Sequence, residues 1–208
     1  MIMPKKKEEI QEKVNVAIQT YNKIASIYKE KIENKLLQFQ LTKFVSMLAE
    51  KAKVLDAGSS CGRDSAYLKE DNLDVTSIDL SEAMIKEAKD LGVETLKEDL
   101  LKIKYDKEFD GIWCMATLAD IEKKEAPTFI KNLNKALKDE GILYLAVKEG
   151  EGEHLIEKKE YENHPRFYAF YKKEELKKLL EENGFKILEL TEDIDNKNKW
   201  LEVFARKN

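Results

Sequence analysis

The chain has 208 residues, of which 42% are hydrophobic and 38% are charged. Its 37 basic and 41 acidic residues leave a net charge of −4, which excludes a generally basic nucleic-acid binder. The length predicts one domain with a sizeable core, and the periodic apolar positions exclude a disordered chain.

Few residues of this sequence suit a metal site or a disulfide framework. Cys61 and Cys114 form no C-x-x-C pair, and His154 and His164 are too few for a dense metal cluster. We therefore expect no bound metal. The basic segment Met1–Lys7 is not followed by an apolar run, and no run approaches the ~18 apolar residues that cross a bilayer. These features predict a cytoplasmic protein that does not contact a membrane.

Apolar residues at helical spacing predict two helices, Glu8–Ile32 and Leu36–Leu48, before the first strand. The predicted strands are Lys53–Asp56, Leu73–Ile78, Val93–Leu96, Phe109–Met115, Ile142–Val147, Phe185–Leu190 and Trp200–Ala205. The predicted helices between them are Arg63–Glu70, Ser81–Asp90, Pro127–Leu137 and Lys172–Asn183. The polar segment Glu149–Pro165 is predicted to be a surface loop, and Asp193–Lys199 is predicted to be a turn.

The alternation of strands and helices predicts an α/β fold around a doubly wound sheet with helices on both faces. We expect seven strands, mostly parallel, because strands that are apolar on both sides suit a buried parallel sheet. The last strand follows its neighbour without a helix between them, so it is expected to be antiparallel. Residues 1–50 are predicted to form an N-terminal helical cap, and residues 51–208 are predicted to form the sheet domain.

A glycine-containing turn, Asp56-Ala57-Gly58-Ser59-Ser60-Cys61-Gly62, joins the first strand to the helix that follows it. Backbone N–H groups point outward at such a turn, which predicts a cofactor site at the carboxyl ends of the strands. The turn lacks the dinucleotide fingerprint G-x-G-x-x-G. Asp56 would repel a diphosphate but attract an ammonium group, which disfavours a nicotinamide-dependent oxidoreductase.

Six segments, in this order, resemble the motifs of class I S-adenosylmethionine-dependent methyltransferases. They are Val54–Asp64, Ile78–Ser81, Glu98–Leu100, Phe109–Trp113, Leu137–Leu143 and Phe170–Phe185. The resemblance covers about Val54–Arg206. It implies a Rossmann-like fold and methyl transfer by residues 51–208, with S-adenosyl-L-methionine as cofactor and S-adenosyl-L-homocysteine as product. Ser60 departs from the family, which usually has the more permissive glycine at this position.

The resemblance also implies which residues bind the cofactor. Asp79 would accept hydrogen bonds from the two ribose hydroxyls, and Asp99 would accept one from the adenine amino group. Leu80, Met84 and Leu100 would pack around the adenine. The remaining implied contacts are Asp56, Gly58, Ser60, Cys61, Gly62, Arg63 and Met115 around the methionine part, with Tyr21 and Tyr28 closing over the site. For Tyr21, Tyr28 and Cys61, a place in the core is the alternative.

The sequence indicates the methyl acceptor less clearly than it indicates the cofactor. The residues at the end of the fourth strand are Cys114-Met115-Ala116-Thr117, and no Asn/Asp-Pro-Pro-aromatic tetrad stands there. This disfavours the amino groups of nucleic-acid bases as methyl acceptors. We expect a small-molecule acceptor; RNA, protein and cofactor binding without catalysis are the alternatives. Asp120 is the candidate catalytic base, with His164 and Glu149 as alternatives. The segment Glu149–Tyr168 is expected to shape the acceptor pocket, and the protein to be a monomer or homodimer.

Overall fold

A seven-stranded sheet forms the centre of the computed structural model, which describes residues 4–32, 35–195 and 198–208. The helices are α1 (Pro4–Ile32), α2 (Gln38–Ser46), α3 (Arg63–Glu70), α4 (Glu82–Asp90), α5 (Ala126–Ala136) and α6 (Lys173–Glu182). The strands are β1 (Lys53–Ala57), β2 (Asp74–Asp79), β3 (Thr95–Lys97), β4 (Phe109–Met115), β5 (Leu137–Lys148), β6 (Glu153–Glu157), β7 (Pro165–Ala169), β8 (Phe185–Asp195) and β9 (Asn198–Lys207). Short 3-10 helices lie at Thr117–Asp120 and Lys159–Tyr161.

The strands of the main sheet are arranged in the order β3-β2-β1-β4-β5-β9-β8. Neighbouring strands from β3 to β5 are parallel, whereas β9 is antiparallel to both β5 and β8. This confirms the predicted α/β fold with seven strands, mostly parallel, and an antiparallel last strand. The chain winds from β1 toward one edge and from β4 toward the other. The boundary between β1 and β4 is therefore a topological switch point, where open α/β sheets bind ligands.

Alternate side chains of β5 are buried on opposite faces of the sheet. Leu143 and Leu145 pack into the cluster that includes α5 and α6. Ile142 and Tyr144 pack into the cluster that includes α2 and α3, where the Tyr144 ring stacks on Trp113 with 4.0 Å between the centroids. Because helices cover both faces, the central strands are apolar on both sides, as their sequences predict.

Gly111 in β4 allows α2 to approach the sheet closely. A Cβ at this position would lie 2.8 Å from Phe44 Cζ and 3.1 Å from Leu48 Cδ1. Phe44 in turn packs edge-on against Trp113, with 5.5 Å between the ring centroids. The second helix therefore packs directly against the sheet. The division of the chain at residue 50 stays a prediction.

The long helix α1 lies across the carboxyl edge of the sheet. Thr20 Oγ1 donates to the first backbone carbonyl of β7 at 2.6 Å, and Ser81 Oγ donates to Asn22 Oδ1 at 2.8 Å. Lys29 Nζ pairs with Glu87 Oε2 at 2.9 Å. These contacts fasten α1 to β7 on one side and to α4 on the other. In the part of the chain that the structure describes, no helix is long and apolar enough to span a membrane.

The segment Glu149–Pro165 differs from its prediction as a loop. It contains β6, which pairs antiparallel with β7 in a separate two-stranded sheet. The loop prediction was wrong because β6 is largely exposed and has no buried apolar face that would mark it as a strand. This ribbon brings the residues of β7 next to α1.

The third strand and the last turn also differ from prediction. The third strand is Thr95–Lys97 instead of Val93–Leu96, because the Val93 N–H is used to donate to the Ala88 carbonyl at 3.0 Å and so ends α4. Most of the predicted turn Asp193–Lys199 is strand, since β8 runs to Asp195 and β9 starts at Asn198. Residues 196–197 lie outside the described residues.

Candidate functional site

The turn after β1 has a left-handed backbone and lies against the end of β4. The φ angles are +85° at Gly58, +53° at Ser60 and +81° at Gly62. The Gly58 N–H donates to the carbonyl of Ile78 at 3.0 Å. A Cβ on Gly58 would lie only 2.3 Å from Thr117 Oγ1, so this position requires glycine. Ser60 bears the steric cost that glycine would avoid.

A cavity of about 430 Å³, called here the first cavity, lies between α1 and the carboxyl edge of the sheet. Its volume is in the range of small-molecule sites. The predicted site residues that line it are Tyr21, Tyr28, Gly58, Ser60, Asp79, Leu80, Met84, Asp99, Leu100, Met115 and Asp120. The fold thus brings residues from α1 to the end of β4 together around one space.

The Asp79 carboxylate at the end of β2 is held by two backbone donors. The Ser60 N–H donates to its Oδ2 at 2.9 Å, and the Ser81 N–H donates to its Oδ1 at 2.8 Å. Burial raises the pKa of Asp79, and these donors partly oppose that rise. Each carboxylate oxygen keeps a further lone pair, so Asp79 can accept from two adjacent hydroxyl groups at once.

Asp99 lines the same cavity beyond β3. Its Oδ1 accepts from the Leu101 N–H at 3.0 Å, and its Oδ2 pairs with Lys102 Nζ at 2.8 Å. The Lys102 side chain is 81% exposed, so this ion pair contributes little to stability. Met84 and Leu100, both buried, supply apolar surface in the same cavity. Two carboxylates beside apolar surface fit a nucleoside, which has vicinal hydroxyls and a planar base with donor groups.

A second cavity of about 570 Å³ adjoins the first. Tyr28, Gly58, Ser60, Met115 and Ala116 line both cavities. Of the other predicted site residues, Asp56 and Arg63 line the second cavity. Ala116, like Ser60, has a left-handed backbone, with φ at +63°. Strained backbone of this kind clusters at functional sites, and here it marks the junction between the two cavities.

A sequence profile of the methyltransferase domain family matches residues 26–190, from within α1 to within β8. The chain belongs to the S-adenosylmethionine-dependent methyltransferases. As a member of this family, the methyltransferase uses S-adenosylmethionine as its cofactor. The two carboxylates and the apolar surface of the first cavity fit the adenosine part of that cofactor.

Two curated relatives are similar in sequence to part of this methyltransferase, with about one third of the aligned residues identical. A carboxy-S-adenosyl-L-methionine synthase of Nautilia profundicola is 33% identical over 136 residues, which cover 61% of this chain and 55% of that protein. The putative methyltransferase YqeM of Bacillus subtilis is 32% identical over 136 residues, with the same coverage of 61% and 55%. The chain spans about half the length of these curated relatives.

A solved methyltransferase structure shows the same fold. The 1,6-didemethyltoxoflavin-N1-methyltransferase of Burkholderia thailandensis, with 1,6-didemethyltoxoflavin and S-adenosylhomocysteine bound, matches with a TM-score of 0.75. The match covers 100% of this chain and 92% of that chain, at 21% identity. At this identity the likeness establishes the fold alone.

Asp120, the predicted catalytic base, lies in the 3-10 helix after β4 and lines the first cavity. The Tyr21 hydroxyl donates to Asp120 Oδ2 at 2.9 Å, and Arg166 Nη2 donates to the same hydroxyl. Among the described residues, Asp120 Oδ1 has no hydrogen-bond partner. Burial raises the pKa of Asp120 to about 6, although Arg166 and the Tyr21 hydrogen bond act to lower it. A carboxyl group that ionises near this pH suits general-base catalysis at neutral pH.

Four candidate residues lie outside both cavities. Cys61 is buried in a small cluster with residues of α1 and α4, which is its alternative core position. Gly62 backs onto α4, where a Cβ would lie 3.0 Å from the Ala88 side chain. Both residues therefore pack against the neighbouring helices and line neither cavity. The alternative bases His164 and Glu149 also line neither cavity.

Asp56 and Arg63 face the second cavity and are oriented by neighbours. Ser65 Oγ donates to Asp56 Oδ2 at 2.5 Å. Burial, with the nearby Asp64, raises the pKa of Asp56 to about 8. Arg63 Nε donates to Asp64 Oδ1 at 2.7 Å, and its Nη1 donates to the Ile32 carbonyl at 2.9 Å. At neutral pH, Asp56 is therefore mostly protonated, and Asp64 largely balances the charge of Arg63.

Further residues that the sequence did not single out complete the second cavity. They are Lys148, Lys158, Tyr161, Arg166, Tyr168 and Trp200. Arg166 and Tyr168 lie in β7, and Lys158 and Tyr161 lie in the connection between β6 and β7. All four belong to the segment Glu149–Tyr168, which was expected to shape the acceptor pocket. Lys148 ends β5, and its only sequence signal is a charge directly after the apolar run Ile142–Val147.

Asp56→Asn is expected to change how stability depends on pH. The folded-state pKa of about 8 lies above the value of ~4 in an unfolded chain. Between these values the unfolded state loses the proton first, so the free energy of unfolding falls as pH rises, by up to ~1.4 kcal/mol per pH unit. Asn keeps the shape and cannot ionise, so urea denaturation from pH 4 to pH 8 should show a flatter profile. An unchanged profile would contradict the protonated Asp56.

Proposed function

We propose that the methyltransferase transfers the methyl group of S-adenosylmethionine to a small molecule bound in the second cavity. The observation that carries this proposal is the junction of two cavities of small-molecule size beside Gly58 and Ala116. The first cavity suits a nucleoside, which leaves the second for the methionine end of the cofactor and for the acceptor. A reaction between two bound molecules needs such a shared boundary, because holding both in contact lowers the entropic part of the barrier.

In this proposal the first cavity holds the adenosine part. Asp79 accepts from the two ribose hydroxyls, since its carboxylate is already oriented by backbone donors. Asp99 accepts from the adenine amino group. Leu80, Met84 and Leu100 pack around the adenine ring.

The methionine part lies at the junction of the two cavities. Gly58 and Ser60 allow close approach of the backbone, and the Met115 carbonyl meets the ammonium group. The same ammonium favours the ionised form of Asp56 and so lowers the pKa of that carboxyl group. Arg63 is the cation available for the carboxylate at this end.

Tyr21 and Tyr28 close the site from α1. Both line the first cavity, and their rings pack edge-on with 5.6 Å between the centroids. The hydrogen bond from Tyr21 to Asp120 connects α1 to the 3-10 helix after β4. Because these two tyrosines cover the site, they exclude water and leave little room for a large polymer. This supports a small molecule as the methyl acceptor over RNA or protein.

The cofactor supplies a methyl group on a positively charged sulfur. The nucleophilic atom of the acceptor forms the new bond to the methyl carbon with its own electron pair, and the electron pair of the broken C–S bond stays on the sulfur. When the nucleophilic atom carries a proton, Asp120 accepts it. The residues of the site thus contribute mainly by placing the two reactants in line.

Asp79→Asn tests the cofactor site. The substitution removes a charged acceptor of two hydrogen bonds, each worth ~1.5–3 kcal/mol, so the dissociation constant for S-adenosylhomocysteine should rise at least tenfold. Isothermal titration calorimetry measures this constant. Asp74→Asn is the matched control, because Asp74 lies exposed at the opposite end of the same strand and should leave binding unchanged. Equal binding by wild type and Asp79→Asn would contradict the assignment.

Methyl transfer is tested with S-adenosylmethionine labelled in the methyl group and a cell extract separated into small molecules, RNA and protein. We expect label in the small-molecule fraction, at a rate that rises with pH through about 6 as Asp120 ionises. Asp120→Asn should lower the rate at pH 7.5 by about 100-fold and remove this inflection, since it cannot accept a proton. Label in RNA or protein would overturn the small-molecule acceptor. Cofactor binding without any labelled product would indicate a binding protein.

A further inference from the structure

Three cationic side chains surround the ring of Tyr168 in the second cavity. The guanidinium carbon of Arg166 and Lys148 Nζ each lie 4.8 Å from the ring centroid, and Lys158 Nζ lies 5.9 Å from it. All three side chains line the second cavity. These distances allow cation–π attraction, but the ring offsets only part of the repulsion between three like charges.

Two of these cations have no carboxylate beside them. In the described part of the chain, no Asp or Glu oxygen lies within 4.0 Å of Lys148 Nζ or of the Arg166 guanidinium, whereas Lys158 Nζ lies 3.8 Å from Glu160. Arg166 is 8% exposed, and its Nε is buried without a hydrogen-bond partner. Burial, with Lys158 and Arg166, lowers the pKa of Lys148 to about 8. A buried donor and a buried charge without partners are costly, so this end of the cavity is suited to a negative group.

Most acids of the second cavity are engaged elsewhere. Asp64 accepts from Arg63 Nε at 2.7 Å, and Glu202 accepts from a glutamine of α2 at 3.0 Å. Asp56 keeps its proton at neutral pH, since burial raises its pKa to about 8. Asp193 is exposed at the rim. The positive end of the cavity is therefore not neutralised by these side chains.

Aromatic rings form much of the remaining wall. The Trp200 centroid lies 5.6 Å from Lys148 Nζ. The centroids of Tyr28 and Tyr161 lie 5.3 and 5.4 Å from the Arg166 guanidinium carbon. Flat aromatic surfaces next to a cationic end fit a planar ligand that carries an anionic group.

We propose that the methyl acceptor is an aromatic carboxylate, with its carboxylate bound by Lys148 and Arg166 in the second cavity. The inference rests on the proposed function and names the substrate class of that site. The planar guanidinium matches the two oxygens of a carboxylate, and Lys148 adds a point charge. The acceptor ring packs against the aromatic wall, and a nucleophilic substituent on the ring reaches the junction beside Ala116. That substituent forms the bond to the methyl carbon with its own electron pair, the C–S pair stays on sulfur, and Asp120 takes the proton.

The charge of the donor supports the same assignment. The reactive sulfur of the cofactor is positive, and the second cavity already contains unneutralised cations. With an uncharged acceptor, these positive charges would be balanced only in part, by Asp120 beyond the Tyr21 hydroxyl and by Glu160. A carboxylate would instead be attracted directly by each of them.

Benzoate and benzamide test this proposal, because they share one shape and differ in charge. Each is titrated by calorimetry into the protein saturated with S-adenosylhomocysteine. We expect wild type to bind benzoate at least tenfold more tightly than benzamide. Lys148→Met should reduce this preference, since only Arg166 then remains to bind the carboxylate, and should leave S-adenosylhomocysteine binding unchanged. Lys199→Met is the matched control, because Lys199 is exposed nearby and does not line the cavity.

The possible outcomes separate this inference from the proposed function. Failure of wild type to bind S-adenosylhomocysteine would overturn the proposed function itself. Normal cofactor binding with equal affinity for benzoate and benzamide would overturn the aromatic carboxylate alone. A Lys148→Met variant that loses S-adenosylhomocysteine would place Lys148 at the cofactor instead. Tighter binding of phenyl phosphate than of benzoate would assign the cations to a phosphate. If Lys148→Met does not fold, Lys148→Gln serves the same comparison.

Discussion

The reversal of winding between β1 and β4 is the constraint on which both cavities depend. Parallel strands end at one edge of the sheet, and the chain leaves these two central strands in opposite directions. The crevice that results is closed below by the contact of Gly58 with Thr117, which leaves no room for a side chain at position 58. The order of the strands thus determines where the two adjoining cavities lie.

The tyrosines that cover this crevice pack around Arg166, a buried cation that makes no direct ion pair with a described carboxylate. Arg166 lies within 5.4 Å of the rings of four tyrosines, two of them from α1. Cation–π contacts of this kind are worth ~2 kcal/mol when desolvated, so the rings stabilise the charge without neutralising it. The Tyr21 hydroxyl links the same arginine to Asp120, so α1, the 3-10 helix after β4 and β7 are joined in one hydrogen-bond network. The position of α1 and the position of Arg166 in the second cavity therefore depend on the same contacts.

The sequence predicts the fold and the cofactor side of the site better than the acceptor side. Asp79 and Asp99 follow short strands and belong to contiguous motifs, so local patterns locate them. Arg166 reaches the site only through the pairing of β6 with β7. The first of these strands is largely exposed and the second is largely buried, so neither shows the alternation of apolar and polar residues that marks a strand. Lys148 looks in the sequence like any lysine at a strand end, and its isolation from carboxylates is a property of the folded cavity. Cys61, in contrast, stands in the motif but is turned into the core.

In the proposed function, the cofactor lies in the first cavity with its sulfur at the junction to the second. A crystal structure of the protein with S-adenosylhomocysteine measures this directly. We expect ribose hydroxyls within hydrogen-bond distance of Asp79 and a sulfur atom that faces the space bounded by Lys148 and Arg166. A sulfur facing away from that space, or a cofactor that fills both cavities and leaves no room for an acceptor, would contradict it.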